Sequence, residues 1–275
     1  MTINCKGTLI DLTFPKIMGI LNCTPDSFYD GGQFKSEILI LNQVEKMLLE
    51  GATFIDVGAY SSKPGADFVS ETEELGRLLP VIVLILKNFP NTILSIDTFR
   101  SNVAKQAVEL GAALINDISA GSLDDQMMQT VASLNVPYVM MHMRGTPQTM
   151  KNLTDYDNLL KDILFYFSEK IALARSFGIN DIIIDPGFGF AKTLPQNYQL
   201  LNNLEVFKFL ELPILAGISR KSMIYKVLET TPSESLNGTS ILNTVALSKG
   251  ASILRVHDVS EAVECTKLYE HLHKK

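Results

Sequence analysis

Eight short apolar runs, each ending abruptly in polar residues, constrain the fold of this chain more than any other feature. The runs cover residues 17–22, 54–57, 93–97, 114–117, 138–142, 182–185, 214–219 and 253–257. Near-continuous apolar, β-branched runs of this length are typical of strands that are covered on both faces of a parallel sheet. Polar groups at the carboxyl end of each run are typical of a (β/α)8 barrel, which builds its active site on that rim.

The segments between the runs have the spacing of amphipathic helices. The predicted helices cover residues 35–50, 70–87, 101–110, 123–134, 155–177, 196–209, 235–249 and 260–272. Gly111, Gly178 and Gly250 stand where left-handed helix caps are expected. Residues 2–13 are predicted to form a hairpin that closes the barrel bottom. The 275 residues match the usual barrel length of about 250, so we predict one single-domain TIM barrel over residues 1–275, with a doubly wound open sheet as the alternative.

Composition limits the classes of partner. The formal net charge of −6 argues against nucleic acid or an anionic membrane surface as the partner. The three cysteines have neither metal-ligand spacing nor the even count of a disulfide framework. No secretory signal or bilayer-length apolar stretch is recognisable, so we expect a cytoplasmic protein with free thiols.

Three strand ends carry acidic or amide side chains, namely Asp97, Asn116 and Asp185. Burying such a group without a partner costs several kcal/mol, and the cost is about 2–7 kcal/mol for a neutral polar group. They either pair between neighbouring strands or face a ligand edge rich in N–H donors, such as an aminopyrimidinone ring, because an ionised carboxylate only accepts hydrogen bonds.

Two other strand ends carry cations. Ser219 is predicted to cap a helix, where free N–H groups attract anions, and Lys221 lies in the first turn of that helix. Arg255 and His257 should share one strand face, and an inward Arg255 requires a carboxylate partner or an anionic ligand. Barrels often bind phosphate near strands seven and eight.

The remaining loops are less decisive. The loop after the first run contains Gly31-Gly32, which favours ligand contact, and Asn22 offers a neutral oxygen suited to hydrated Mg²⁺. Residues 61–65 could hold an anion or form a solvated turn. His142 is more often structural than catalytic in such a position. These residues alone predict a group transfer with an anionic leaving group.

Seven motifs in barrel order resemble dihydropteroate synthase, the sulfonamide target of folate (tetrahydrofolate) biosynthesis, over essentially the whole chain. They are Asn22-x-Thr24-Pro25-Asp26-Ser27-Phe28, Ser95-Ile96-Asp97-Thr98, Ile115-Asn116-Asp117, His142-Met143-x-Gly145-Thr146-Pro147, Asp185-Pro186-Gly187-x-Gly189-Phe190, Ser219-Arg220-Lys221-Ser222 and Arg255-Val256-His257-Asp258. The resemblance implies a transferase that joins 6-hydroxymethyl-7,8-dihydropterin pyrophosphate to para-aminobenzoate, with release of pyrophosphate. It also implies Mg²⁺ as cofactor and a homodimer formed through the C-terminal helices.

The resemblance assigns roles residue by residue. The catalytic residues are Asp97, Asp185, Lys221 and Arg255. The pterin-binding residues are Asp97, Asn116, Ile118, Val139, Met141, Asp185, Lys221 and Arg255. The pyrophosphate-binding residues are Asn22, Ser62, Lys63, Arg255 and His257, with Asn22 beside the metal. The para-aminobenzoate-binding residues are Phe28, Ser62, Lys63, Pro64, Phe190, Lys221, Ser219 and Ser222.

The second loop departs from the family pattern. Family members usually carry an acidic or amide residue followed by Ser-Thr-Arg-Pro-Gly, whereas this chain has Tyr60 and then Ser61-Ser62-Lys63-Pro64-Gly65. Lysine lacks the bidentate fork of arginine, so we expect weaker binding of sulfonamides or para-aminobenzoate. Three rival functions remain open, namely a catalytically weak pterin-binding homologue, a pterin-dependent methyltransferase on a related barrel, and a Schiff-base aldolase.

Overall fold

A hairpin precedes the barrel, as predicted. In the computed structural model, which describes residues 1–23, 33–60 and 68–273, β1 (Thr2–Cys5) pairs antiparallel with β2 (Thr8–Asp11). Ile3 and Cys5 are buried in one apolar cluster with Met18 and Phe54 from the barrel strands. The hairpin therefore closes the amino-terminal end of the barrel.

Eight parallel strands form the barrel wall. They are β3 (Lys16–Asn22), β4 (Phe54–Gly58), β5 (Ile93–Asp97), β6 (Leu114–Asp117), β7 (Tyr138–Met141), β8 (Ile182–Asp185), β9 (Leu215–Ala216) and β10 (Ile253–Val256). From β3 to β8 each strand pairs with the next along the chain, and β10 pairs with both β3 and β9. A parallel bridge between Ile184 and Ile214 joins β8 to the start of β9 and closes the ring. The (β/α)8 prediction is confirmed, and the open-sheet alternative is wrong.

Helices cover the outside of the wall. They are α1 (Gln33–Glu50), α2 (Glu71–Asn88), α3 (Ser101–Glu109), α4 (Met127–Leu134), α5 (Leu159–Ser176), α6 (Leu194–Asn202), α7 (Ser222–Tyr225), α8 (Leu236–Ser248) and α9 (Val259–His273). The connections that the structure describes also contain the short 3-10 helices Met150–Asn152 and Leu204–Leu210. Within the described ranges, no helix is long and apolar enough to cross a membrane.

Helix ends follow local capping chemistry. Gly111, Gly178 and Gly250 all have positive φ, which confirms the predicted caps. The predicted helix 196–209 differs from the structure because α6 begins earlier, where Thr193 and Gln196 form a capping box, and stops at Asn202. The polypeptide then continues as the 3-10 helix Leu204–Leu210.

Candidate active site

Arg255 joins two carboxylates at the carboxyl end of the barrel. Its Nε donates to Asp56 Oδ2 at 2.6 Å, and its Nη2 donates to Asp97 Oδ2 at 2.7 Å. The sequence allowed a carboxylate partner or an anion for this arginine, and the structure provides two carboxylates. Burial alone would lower the pKa of Arg255, but these carboxylates raise it above its usual value. The guanidinium therefore stays charged and fixed.

Asp56 is a site residue that the sequence reasoning missed. It is fully buried in β4, and its carboxylate also accepts hydrogen bonds from Ser95 Oγ at 2.5 Å and Asn116 Nδ2 at 3.0 Å. Because a carboxylate only accepts, the Asn116 amide must present its NH₂ group to Asp56, and its carbonyl oxygen remains an acceptor. The available signal was a single carboxylate inside an otherwise apolar strand.

Asp97 and Asn116 occupy paired positions on adjacent strands, β5 and β6. Asp97 accepts a hydrogen bond from Arg255, and Asn116 donates one to Asp56. Both side chains are therefore paired between strands, which is one of the two alternatives that the sequence left open. Burial raises the pKa of Asp97 to about 7, and the Arg255 guanidinium opposes that rise. A carboxylate with such a raised pKa at a barrel mouth is typical of a functional site.

Asp185 and Lys221 both lie close to Gly217. An ideal Cβ placed on Gly217 would lie 3.9 Å from Asp185 Oδ2, from Lys221 Nζ and from Arg255 Cβ. Burial raises the pKa of Asp185, with Lys221 opposing, and burial lowers the pKa of Lys221 to about 8, with Asp185 opposing. The missing side chain at Gly217 leaves space between an acceptor and a cation.

The loop after β8 shapes the surroundings of Lys221. Lys221 Nζ donates to the Phe188 carbonyl and lies 4.8 Å from the centre of the Phe190 ring. Gly187 and Gly189 both have positive φ, and Gly187 N donates to Asp185 Oδ1 at 2.8 Å. Glycine adopts such backbone angles without the steric cost that a side chain would add.

The prediction that Ser219 caps a helix is wrong. The helix begins at Ser222, and its capping position is Lys221, whose side chain makes no cap hydrogen bond. Arg220 has a φ of 54°, which turns the chain before that helix, and its guanidinium binds Asp258 with two hydrogen bonds. The Ser219 side chain therefore does not cap this helix.

Ser219 contacts His257. The Ser219 Oγ lies 3.0 Å from His257 Nδ1 and accepts from His257 N at 3.2 Å. Ser219 is buried, whereas His257 follows the end of β10 and is exposed. The structure therefore places both residues on the same rim as Arg255, next to the opening.

Apolar side chains form one wall at the mouth. Ile118, Met141, Met143, Met150 and Ala191 form a buried cluster with Phe99, Leu123 and Phe190 packed against it. Val139 belongs instead to the inner core with Leu114 and Ile183. Of the three apolar residues that the resemblance assigns to pterin binding, Ile118 and Met141 lie in the mouth cluster, and Val139 lies in the inner core.

His142 is 2% exposed and is hydrogen-bonded inside the protein. Its Nδ1 lies 3.0 Å from Lys192 Nζ, and its ring packs edge-on against Tyr166. Burial lowers the pKa of His142 well below its usual value, so the ring is neutral. These contacts support the structural reading of this histidine.

Tyr60 has a clear structural explanation, although its sequence context gave none. Its Oη accepts a hydrogen bond from Gln148 Nε2 at 2.9 Å, and its ring packs edge-on against Phe99 at 5.1 Å. Tyr60 therefore ties the end of β4 to the loop after β7. The predicted ligand-binding residues Phe28, Ser62, Lys63 and Pro64 lie outside the described residues.

Asn22 ends β3 and is exposed at the rim, next to Gly58 of β4 in register. Across residues 1–23, 33–60 and 68–273, no cluster of three or more His, Cys, Asp or Glu side chains could hold a metal ion. An isolated amide oxygen fits Mg²⁺ that keeps most of its water and shares ligands with a substrate phosphate. The described residues therefore do not form a metal site made of protein ligands alone.

Comparisons with known proteins identify the family of this chain. The family described as "Pterin binding enzyme" matches residues 18–257. The dihydropteroate synthase of Escherichia coli (strain K12) is 43% identical over 272 residues, covering 98% of this chain and 96% of the relative.

Solved structures of relatives are similar to this chain over nearly their full length. The Yersinia pestis dihydropteroate synthase in a sulfonamide drug complex has a TM-score of 0.92 and 39% identity, with 99% of each chain covered. The Xanthomonas albilineans dihydropteroate synthase with 4-aminobenzoic acid has a TM-score of 0.92 and 35% identity, covering 100% of this chain and 98% of that one. The chain therefore belongs to the pterin-binding enzymes, and within them to the dihydropteroate synthase family.

Proposed function

We infer that this protein is a dihydropteroate synthase, a transferase of folate biosynthesis. It condenses 6-hydroxymethyl-7,8-dihydropterin pyrophosphate with para-aminobenzoate and releases 7,8-dihydropteroate and pyrophosphate. The family match and the relatives of high coverage support this reaction. The methyltransferase and aldolase alternatives find no counterpart among these relatives.

One observation carries the assignment in structural terms. The Asn116 carbonyl and the Asp185 carboxylate are acceptors, and the Lys221 ammonium is a donor, all at one barrel mouth. A pterin ring carries several N–H donors beside one carbonyl acceptor on its pyrimidinone edge, which this set of side chains complements. Ile118 and Met141 supply the apolar surface that a flat ring requires.

The acidic residues act electrostatically in the chemistry. When the carbon–oxygen bond to pyrophosphate breaks first, the pterin methylene becomes cationic. Asp97 and Asp185 would stabilise that charge, and Arg255, which donates to Asp97, would stack over the face of the ring. The aniline nitrogen of para-aminobenzoate then attacks the methylene and loses a proton, so no nucleophilic side chain is needed.

The proposed binding residues for the leaving anion are Asn22, Arg255 and His257, together with Ser62 and Lys63. Asn22 is the residue that would hold Mg²⁺ there, and the bound ion would add positive charge beside the pyrophosphate oxygens. Arg255 contributes a permanent cation, because its partners raise its pKa.

The proposed binding residues for para-aminobenzoate lie around Lys221. Phe190 offers an aromatic face 4.8 Å from the Lys221 ammonium, and Ser219 and Ser222 flank that lysine along the chain. Phe28, Ser62, Lys63 and Pro64 complete the proposed set. The Xanthomonas albilineans structure, which contains 4-aminobenzoic acid, supports binding of this substrate class.

A homodimer through the C-terminal helices is also proposed. Helices α8 and α9 lie together, and both expose large apolar side chains, namely Ile241, Leu268 and Leu272. Exposed apolar residues on adjacent helices are typical of a subunit interface. Sedimentation of wild-type protein and of Leu268→Glu tests this, because an interface predicts that the variant becomes a monomer.

The reaction is tested by chromatographic detection of dihydropteroate from both substrates, with and without Mg²⁺. The proposal predicts product in the complete mixture and a large loss on chelation of the metal. Binding of the pterin without product would support the catalytically weak homologue instead.

A further inference from the structure

Lys192 is a buried lysine that the proposed chemistry does not use. It is 8% exposed and lies at the end of the loop that connects β8 to α6. Its ammonium lies 3.0 Å from each of three acceptors, which are His142 Nδ1, the Gly187 carbonyl and the Phe190 carbonyl. An ammonium has three protons, so every donor has a partner.

The contacts are consistent with a charged lysine beside a neutral histidine. Burial lowers the pKa of Lys192 to about 7, and the nearby Asp185 carboxylate opposes that shift. Burial, followed by the charge of Lys192, lowers the pKa of His142, so the ring is neutral. A charged Lys192 can only donate, so the hydrogen bond between them requires His142 Nδ1 to accept. A buried charge is tolerated in a protein when its hydrogen bonds are satisfied in this way.

Two of the three acceptors belong to the same loop as Lys192. Gly187 and Phe190 form one turn, in which Phe190 N donates to the Gly187 carbonyl at 3.1 Å. His142 is the acceptor outside the loop, and it directly follows strand β7. The bond between Lys192 and His142 therefore attaches the loop to the barrel wall.

The same loop holds the reactive groups in place. The Phe188 carbonyl accepts from Lys221 Nζ, the Phe190 ring faces that ammonium, and Gly187 N donates to Asp185. The fit is tight, because a Cβ on Gly187 would lie 2.1 Å from the His142 carbonyl oxygen. A movement of this loop would displace Lys221 and Asp185 together.

We propose that Lys192 is a positioning residue, which fixes the loop after β8 to the barrel through His142 and thereby sets the places of Lys221 and Asp185. The inference rests on the proposed function, because it concerns the rate of that reaction. Small misplacements of substrate-contacting groups reduce turnover strongly, by as much as about a hundredfold for about 1 Å.

Four variants test the proposal. Lys192→Met removes all three hydrogen bonds at similar volume. His142→Phe removes the acceptor on the barrel side and keeps a ring, whereas His142→Asn offers an amide oxygen where Nδ1 stood. Lys6→Met is the matched control, because Lys6 also donates to a carbonyl, that of Val108, but belongs to the hairpin at the opposite end of the barrel.

Measured on folded protein, kcat should fall at least tenfold in Lys192→Met and in His142→Phe. The kcat of His142→Asn should be at least threefold higher than that of His142→Phe. The kcat of Lys6→Met should stay within twofold of wild type. If Lys192→Met does not fold, the two His142 variants decide. Wild-type kcat in folded Lys192→Met or His142→Phe, or equal kcat in both His142 variants, would overturn the inference. An inactive wild-type protein would instead overturn the proposed function.

Discussion

The Asp56 carboxylate accepts a hydrogen bond from the Asn116 amide at 3.0 Å, and this contact decides which end of that amide is available to a ligand. Asp56 also binds Arg255, so one buried carboxylate orients two side chains of the site. Neither contact is local in the chain, since the three residues come from three different strands.

Replacing Asp56 by Asn should therefore weaken pterin binding. An amide at position 56 no longer requires the NH₂ group of Asn116 to face it, and it removes one charge partner of Arg255. Hydrogen bonds to charged groups contribute about 1.5–3 kcal/mol, so we expect a loss of affinity of roughly 10- to 100-fold. Calorimetry with a pterin ligand measures this. Glu205→Gln, which removes a carboxylate from the surface pair with Lys249, is the control and should bind normally.

Replacing Lys221 by Ala should reduce turnover by about 100-fold or more, because a fixed cation is removed from beside the reacting groups. Lys226→Ala serves as the control, since Lys226 is exposed on the same segment. Steady-state kinetics at saturating concentrations of both substrates provide the comparison. Near-normal rates in Lys221→Ala would remove its assigned role.

The rate should also depend on pH through Lys221. Burial lowers the pKa of its ammonium to about 8, so the charged form predominates below that pH and is lost as the pH rises through it. We expect kcat/KM for the pterin substrate to fall about tenfold per pH unit above 8. Lys221→Arg keeps its charge, so the part of the alkaline fall that comes from position 221 should be absent in this variant, even with a lower overall rate. A wild-type profile that stays flat to pH 10 would exclude this dependence.

Gly217 should be required for ligand access and not for folding. A methyl group there would lie 3.9 Å from Asp185, Lys221 and Arg255, which is ordinary contact distance, but it would occupy the space between them. We expect Gly217→Ala to keep the wild-type melting temperature and to bind pterin about tenfold more weakly. Gly76→Ala is the matched control. Position 76 lies inside α2 with no atom within 4 Å of the added Cβ, so this change should stabilise the fold by about 0.5–1 kcal/mol and leave binding unchanged.

The hydrogen bond between Tyr60 and Gln148 should be measurable as a coupling. A double-mutant cycle with Tyr60→Phe and Gln148→Leu isolates it, and we expect an interaction free energy of about 0.5–1.5 kcal/mol in urea unfolding. Additive effects of the two changes would show that the bond does not contribute to stability.

The sequence was sufficient for the barrel, because the period of the apolar runs and the caps at Gly111, Gly178 and Gly250 are local properties. The sequence did not reveal the roles of Asp56 and Lys192 in the site. Their partners lie on distant strands and loops, and their own surroundings in the sequence look like a strand interior and a helix start. Ser219 was misassigned for a local reason, since the positive φ of Arg220 delays the helix to Ser222.

Release of pyrophosphate from the dihydropterin pyrophosphate, followed with and without para-aminobenzoate, tests the assignment of function most directly. A dihydropteroate synthase should release pyrophosphate over many turnovers when para-aminobenzoate is present and form one dihydropteroate for each pyrophosphate released. Tight binding of the pterin without release dependent on para-aminobenzoate would contradict the assignment.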